Sequence, residues 1–291
     1  MLYAIDVSHH QNPSALDWAG MRQAGCDLCI VRLTYGTKKD ERAKEHIERA
    51  RDNGFQVGAY MFGRTVERVT DQYVAFAEAA DAAGYGRPED ICPALDVEDD
   101  TAARPIKPSH AELFETLALY LKNWRGAIPY VYITQRDWTR IGSPKWVLGM
   151  PLFVAHYAAP TRLEPATPNG MPWDIWQHRV GPFVMEGPSG YDKEHPLLDQ
   201  SRVRALNFLN GERMTFEDEH DEEIRRLVDD DGTDDIRAER HDAFVRAYAQ
   251  ELASESTAEL IEADRERAMR RQLDTLDDEP LSDVEPEGRD T

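Results

Sequence analysis

Cysteine is scarce in this chain of 291 residues: Cys26, Cys29 and Cys92 are the full set. So few, in odd number, build no disulfide framework, and Cys26-Asp-Leu-Cys29 lacks the second pair that a zinc or redox centre would need. The three thiols read as small buried apolar groups. Long hydrophobic runs are missing too; none approaches the roughly 20 residues that cross a bilayer, so no membrane partner is expected. Basic residues are outnumbered, 34 against 55 acidic, for a net charge of −21, and they form no cluster that could hold phosphates, which excludes nucleic acid. No serine or cysteine nucleophile motif and no phosphate-cradling glycine loop occurs. His9-His10 follows Asp6 as a metal motif might, but no second His/Asp cluster has ligand spacing, so neither a metal nor a cofactor is expected. Internal repeats are absent. The first basic residue is Arg22 and residues 2–7 already read as a strand, so no signal peptide is expected, and the chain is expected to be made in a cytoplasm.

What is present is unevenly distributed. Residues 212–291 carry a balance of −17, whereas residues 1–211 carry only −4. The first part alternates short apolar, β-branched runs with helical stretches, the pattern of βα units around a parallel sheet. Strands are predicted at 2–7, 28–33, 56–62, 91–97, 128–133, 152–156, 173–177 and 196–199, and helices at 40–53, 66–83 and 109–124. Eight strands close a barrel. The expected fold class is therefore α/β: one irregular β/α (TIM-like) barrel over residues 1–211, with less helix in its second half. Three loops rich in Pro and Gly, 99–110, 158–172 and 181–195, would rise from the carboxyl ends of strands, where such barrels build their sites. Residues 212–291 read as an acidic extension, helical over 236–275, with an acidic end over 277–291 that is expected to be disordered by itself. Phe244, Val245, Tyr248 and Leu252 form an apolar stripe there that suits docking on a protein partner or self-association.

Three predicted strands end in carboxylates: Ile5-Asp6, Leu95-Asp96-Val97-Glu98 and Leu198-Asp199. Side chains alternate along a strand, so Asp96 and Glu98 share a face, roughly 6–7 Å apart at the backbone. The first and last strands become neighbours on closure, which would bring Asp6 and Asp199 to the same rim. A single acid at a strand end is ordinarily a turn residue; four converging on one rim repel one another, and at least one should stay protonated near neutral pH. A protonated acid beside ionised ones is what glycoside hydrolysis requires. Tyr60, Phe62, Tyr132, Tyr157, Trp173 and Trp176 fall at or near strand ends and could pack on sugar rings. Phe62 and Trp173 fit core filling better.

These segments resemble the glycoside hydrolase family 25 muramidases, the Chalaropsis-type lysozymes. The resemblance runs through Ala4-Ile-Asp-Val-Ser-His-His-Gln11, Ile30-Val-Arg-Leu-Thr-Tyr-Gly36 with Asp40, and Val57-Gly-Ala-Tyr-Met-Phe62. It continues in Leu95-Asp-Val-Glu-Asp99, Val131-Tyr-Ile-Thr134, Ala155-His-Tyr157, Ile175-Trp-Gln177 and Asp199. It implies an irregular barrel that hydrolyses the β-1,4 bond between N-acetylmuramic acid and N-acetylglucosamine in peptidoglycan. By position it implies Glu98 as general acid, Asp96 as the residue that stabilises the reacting centre or orients the N-acetyl group, and Asp6 and Asp199 as supporting acids. Tyr60, Tyr132, Tyr157, Trp176 and Gln177 become candidate sugar contacts. Phe153 and His178 stand where the family often has Trp and Tyr, and Gln200-Ser201 departs from its habit after Asp199. Arg outnumbers Lys 27 to 7, which fits a GC-rich genome such as that of an actinobacterial phage. A phage-encoded lysin, acting on the wall at lysis or from the virion, is the expectation. A virion component that only binds glycan is the alternative.

Overall fold

The computed structural model describes residues 2–101, 103–157, 164–181 and 198–215. The expected helix over 236–275, its apolar stripe, residues 158–163 of one expected loop and residues 182–195 of another lie outside the described residues.

In chain order the elements are β1 (Leu2–Val7), α1 (Trp18–Gln23), β2 (Cys26–Tyr35), β3 (Lys38–Lys39), α2 (Ala43–Asp52), β4 (Gln56–Phe62), α3 (Val69–Ala83), β5 (Ala94–Asp96), α4 (Ala111–Arg125), β6 (Tyr130–Ile133), α5 (Gln135–Arg140), β7 (Leu152–Ala155), β8 (Ile175–Gly181), β9 (Leu198–Val203), β10 (Ala205–Asn207) and β11 (Arg213–Thr215). The sheet runs β1-β9-β8-β7-β6-β5-β4-β2 and closes by pairing β1 with β2; β3 adds to the outer end of β2. Eight strands thus form a ring, as the sequence predicts.

One strand differs from expectation in its direction, and β3, β10 and β11 are strands the sequence did not predict. β9 runs antiparallel to both β1 and β8. It begins at Leu198 rather than ending at Asp199. An antiparallel strand starts at the rim where its parallel neighbours finish, so Asp199 still faces Asp6 across the β1–β9 ladder. Closure therefore delivers the expected neighbour by the opposite strand direction. β5 is also shorter than predicted. Pro93 has no N–H to give a ladder, and Ile91 and Cys92 instead meet Phe208 and Asn207 below the barrel.

The helices pack by one face. Val69, Gln72, Phe76, Ala79, Ala80 and Ala83 of α3 are buried, as are Phe114, Leu117, Ala118 and Leu121 of α4, at three- and four-residue spacing. α3 stops at Gly84, whose φ of +71° is the left-handed cap that glycine adopts without strain. The short helix α5 was not anticipated. Its signal was present in Thr134-x-x-Asp137, where the Thr134 side chain accepts from the Asp137 N–H at 3.0 Å.

Inside the ring, side chains two apart share the interior face. The lower layer is apolar and includes Ala4, Leu28, Ile30, Ala94, Tyr130, Phe153, Ile175 and Val203. The next interior position on most of these strands is polar: Asp6, Arg32, Asp96, Tyr132 and Gln177, with Asp199 at the top of β9. An oily floor thus carries a ring of polar groups at the carboxyl ends of the parallel strands.

Candidate active site

That polar ring encloses a cavity of about 190 Å3 lined by Asp6, Tyr60, Ala94, Asp96, Glu98, Tyr132, Phe153, Tyr157, Gln177 and Asp199. All four carboxylates singled out in the sequence are brought together. Of the candidate sugar contacts, Tyr60, Tyr132, Tyr157 and Gln177 line it as well. Trp176 does not. Gln177 points inward, so its neighbour Trp176 points outward, where it is 3% exposed, meets Trp173 edge-on at 5.8 Å and donates to the His156 carbonyl at 2.9 Å. Alternation along β8 excludes Trp176 from the pocket and gives its place to Gln177. Trp173 is buried, in keeping with core filling; Phe62 is also buried but lines a neighbouring cavity. Phe153, where the family often has Trp, closes the pocket against Tyr132, ring centres 5.0 Å apart and perpendicular.

Gln177 organises one side. Its Nε2 donates to Asp6 Oδ2 at 2.8 Å, while its Oε1 accepts from Tyr132 at 2.7 Å and from Tyr157. The two tyrosines fix the amide so that its N–H faces Asp6. The sequence marked these residues separately; their linkage is a tertiary fact.

Glu98 lies just beyond β5, in a stretch braced from two sides. Asp99 accepts from the Ile106 N–H at 2.9 Å and pairs with Arg140 of α5. Asp100 accepts from Tyr35 and binds Arg64 at 3.0 Å. The run Glu98-Asp-Asp100 therefore divides its labour. Two acids anchor the loop to opposite walls, and the third is left over the cavity with no cation bonded to it among the described residues.

The electrostatic result follows from burial. Removal from water pushes the Glu98 carboxyl up to about 7, with Asp137 and then Asp199 adding repulsion. Burial lifts Asp199 to about 6. Asp96 rises well above the usual carboxylate range through burial, then Glu98 and Asp6, with Arg32 opposing. Asp6 rises through burial and Asp199, against the hydrogen bond from Gln177. Such a cluster shares protons as a unit, so near neutral pH at least one carboxyl keeps a proton that it can donate. Asp137 is an acid the sequence reading passed over. It is buried at the start of α5, bonded to Thr134, with Arg136 at 3.2 Å.

Among the described residues no group of three or more His, Cys, Asp and Glu side chains is arranged to hold a metal ion. His9 is engaged otherwise, by Arg32 and by the His10 ring at 3.9 Å. No helix among the described residues is long and apolar enough to cross a membrane.

A closed barrel with four crowded carboxyls, each raised above its usual proton affinity, and aromatic walls at one rim is a glycosidase arrangement. The family model for glycosyl hydrolases family 25 matches residues 5–182; the chain belongs to that family and is a glycoside hydrolase of the muramidase class. Solved structures agree in fold. A muramidase from Acremonium alcalophilum is 21% identical over 70% of this chain and 93% of its own, with a TM-score of 0.56. A bacterial lysozyme from Streptomyces coelicolor is 23% identical, covering 69% and 91%, with a TM-score of 0.56. A family 25 glycosyl hydrolase from Bacillus anthracis is 17% identical, covering 77% and 93%, with a TM-score of 0.57. Comparison with curated protein sequences finds no match.

Proposed function

We propose that the protein cleaves the β-1,4 bond between N-acetylmuramic acid and N-acetylglucosamine in peptidoglycan, with Glu98 as the general acid. The observation that carries this reading is a Glu98 carboxyl raised to about 7 within the same cavity as Asp6, Asp96 and Asp199. In the reaction the Glu98 proton passes to the glycosidic oxygen as the bond to the sugar C1 breaks, and positive charge develops on that sugar. Asp96 supports the centre. Its Oδ1 is buried and accepts no hydrogen bond among the described residues, an acceptor suited to the acetamido N–H of the substrate. Held there, the acetamido oxygen is the internal nucleophile at C1. Water then opens the cyclic intermediate, and the Glu98 carboxylate takes up the water's proton. Asp6, steadied by Gln177, and Asp199 supply negative potential toward the developing charge. The decisive measurement is release of reducing ends from purified cell wall by the wild type and by Glu98→Gln. Release by both, within a few-fold, would remove Glu98 from the role.

For the setting, we propose a phage-encoded lysin that works on the bacterial wall after lysis-time release or from the virion. The 27 to 7 excess of Arg over Lys supports this reading. The stripe Phe244, Val245, Tyr248 and Leu252 supports docking of the acidic extension on a phage structural protein or on a second copy. Removing residues 216–291 leaves β11 whole. Sedimentation and turnover then separate the roles: changed assembly with unchanged turnover on soluble fragments is expected, and the reverse would overturn this reading.

A further inference from the structure

The acid pocket opens into a second cavity of about 590 Å3, and the two share Tyr60, Asp96, Glu98 and Asp199 as a common wall. Under the muramidase reading, on which this inference rests, a glycan strand that crosses the shared wall continues into the second space. The two cavities differ in their cations. Among the described residues no Lys or Arg lines the acid pocket, whereas Arg32, Lys38 and Lys39 line its neighbour beside Asp40, Glu41, Asp100 and the shared acids.

The cations there are not equivalent. Arg32 gives Nε to Asp40 at 3.0 Å and Nη2 to His9, with further N–H groups left to donate. Lys39 pairs with Glu78 at 2.6 Å. Lys38 has no ion pair among the described residues. Its backbone is nonetheless held in position. Tyr35 and Lys38 are ladder partners across the β2–β3 turn, where Gly36 takes a φ of +58°. The turn is tied down by Glu67, which accepts from the Thr37 N–H and pairs with Arg64. Arg64 in turn lies 4.8 Å from the centre of the Tyr35 ring and binds Asp100. The same cavity has an aromatic surface, Tyr35 and Phe62 with ring centres 4.7 Å apart. It also has an imidazole, His9, whose Nδ1 faces Arg32 and Asp40.

We propose that this cavity is a subsite for a carboxylate borne by the muramoyl unit, with Lys38 as its ion partner, Arg32 as a donor with His9 beside it, and the Tyr35–Phe62 surface under the sugar ring. Two groups of the substrate carry that chemistry: the lactyl carboxyl of an unsubstituted muramic acid, and an acidic residue of its peptide stem. Glu41 lines the same cavity and opposes either one.

The test measures kcat and KM of the full chain on three glycan oligomers of equal length: free lactyl carboxylates, the same groups as methylamides, and the lactyl groups carrying stem peptides. Lys38→Ala should raise KM roughly threefold for a carboxylate-bearing oligomer relative to the methylamide, with little change in kcat, the size of an exposed ion pair. The oligomer that responds identifies the source of the carboxylate. Lys38→Arg should restore the difference, Glu41→Gln should enlarge it, and about 0.5 M salt should erase it. An equal KM change on charged and methylamide oligomers, or no change on any, overturns the subsite. If the wild type cleaves none of the three, the muramidase reading fails separately. Calorimetric binding of the same oligomers to Glu98→Gln, with and without Lys38→Ala, then decides the subsite: threefold weaker binding of a charged oligomer alone supports it, and equal binding overturns it.

Discussion

The two ends of the barrel bury carboxylates to nearly the same degree and use them in opposite ways. At the floor, Asp90 is 1% exposed and Asp174 5%; at the rim, Asp6 is 8% exposed and Asp96 7%. Asp90 receives Arg51 on both oxygens at 2.8 Å together with the N–H groups of Gly86 and Arg87. Asp174 takes Arg213 at 2.6 Å and the Leu152 N–H at 3.0 Å. Each floor charge is matched by a cation and by backbone donors, so it locks chain segments together. The rim acids have one another, tyrosines and an amide. Burial without a bonded cation moves the pKa instead of fixing the fold, and a proton becomes available to substrate. The difference lies in the company each carboxylate keeps rather than in its depth.

The sharpest way to break that contrast is to neutralise one acid at each end. Glu98→Gln should lower wall hydrolysis by about 10²-fold or more with no loss of thermal stability, because the amide keeps the shape and cannot give the proton. Reducing-end assays beside a melting curve check both halves.

Asp90→Ala should do the converse. It strands Arg51, whose side chain is 18% exposed, and orphans two N–H groups. A loss of about 2–4 kcal/mol is expected from denaturant titration, with turnover per folded molecule preserved. Normal stability in that variant would show that the floor pair is replaceable by water.

The pH dependence of stability sharpens the comparison further. Glu98 has a folded pKa of about 7 against an ordinary value of 4.5. Below pH 4 the group is neutral in both states and contributes nothing. Between pH 4.5 and 7 the unfolded chain releases the proton more readily, so the folded state loses stability as pH rises. Glu98→Gln should therefore gain about 1–3 kcal/mol over the wild type at pH 8 and little at pH 4, read from paired unfolding curves. An equal offset at both pH values would mean that the carboxyl is not held up by its site. Hydrolysis should decline above pH 7 for the same reason, as the acid loses its proton.

The smallest effect is expected at Tyr157, which is 53% exposed. Tyr157→Phe removes one of the two hydroxyls that fix Gln177, leaving Tyr132 in place, and should raise KM by about two- to fivefold with kcat little changed. A loss comparable to Glu98→Gln would give that hydroxyl a part in the chemistry itself.

Much of the site was legible because a strand's period of two is strict. Ala4 before Asp6, Ala94 before Asp96 and Ile175 before Gln177 put an apolar residue on the floor and a polar one at the rim. The same period, applied to Trp176, would have turned it away from the pocket; proximity to a strand end was the wrong signal. β9 was misread in direction because alternation is the same whichever way a strand runs. Asp137 was passed over because a capping acid beside arginines has an ordinary surface pattern, and only the fold carries it near Glu98.

The sequence by itself determined the eight-strand ring, the helical faces of α3 and α4 and the four acids, since periodicity and strand-end chemistry are local properties. Tertiary structure decided which acids were left without a cation. Arg51, Arg64, Arg140 and Arg213 bind acids that lie 39, 36, 41 and 39 residues away in the chain. A carboxylate's proton affinity depends on those distant partners and on exclusion of water, and neither exists until the ring closes.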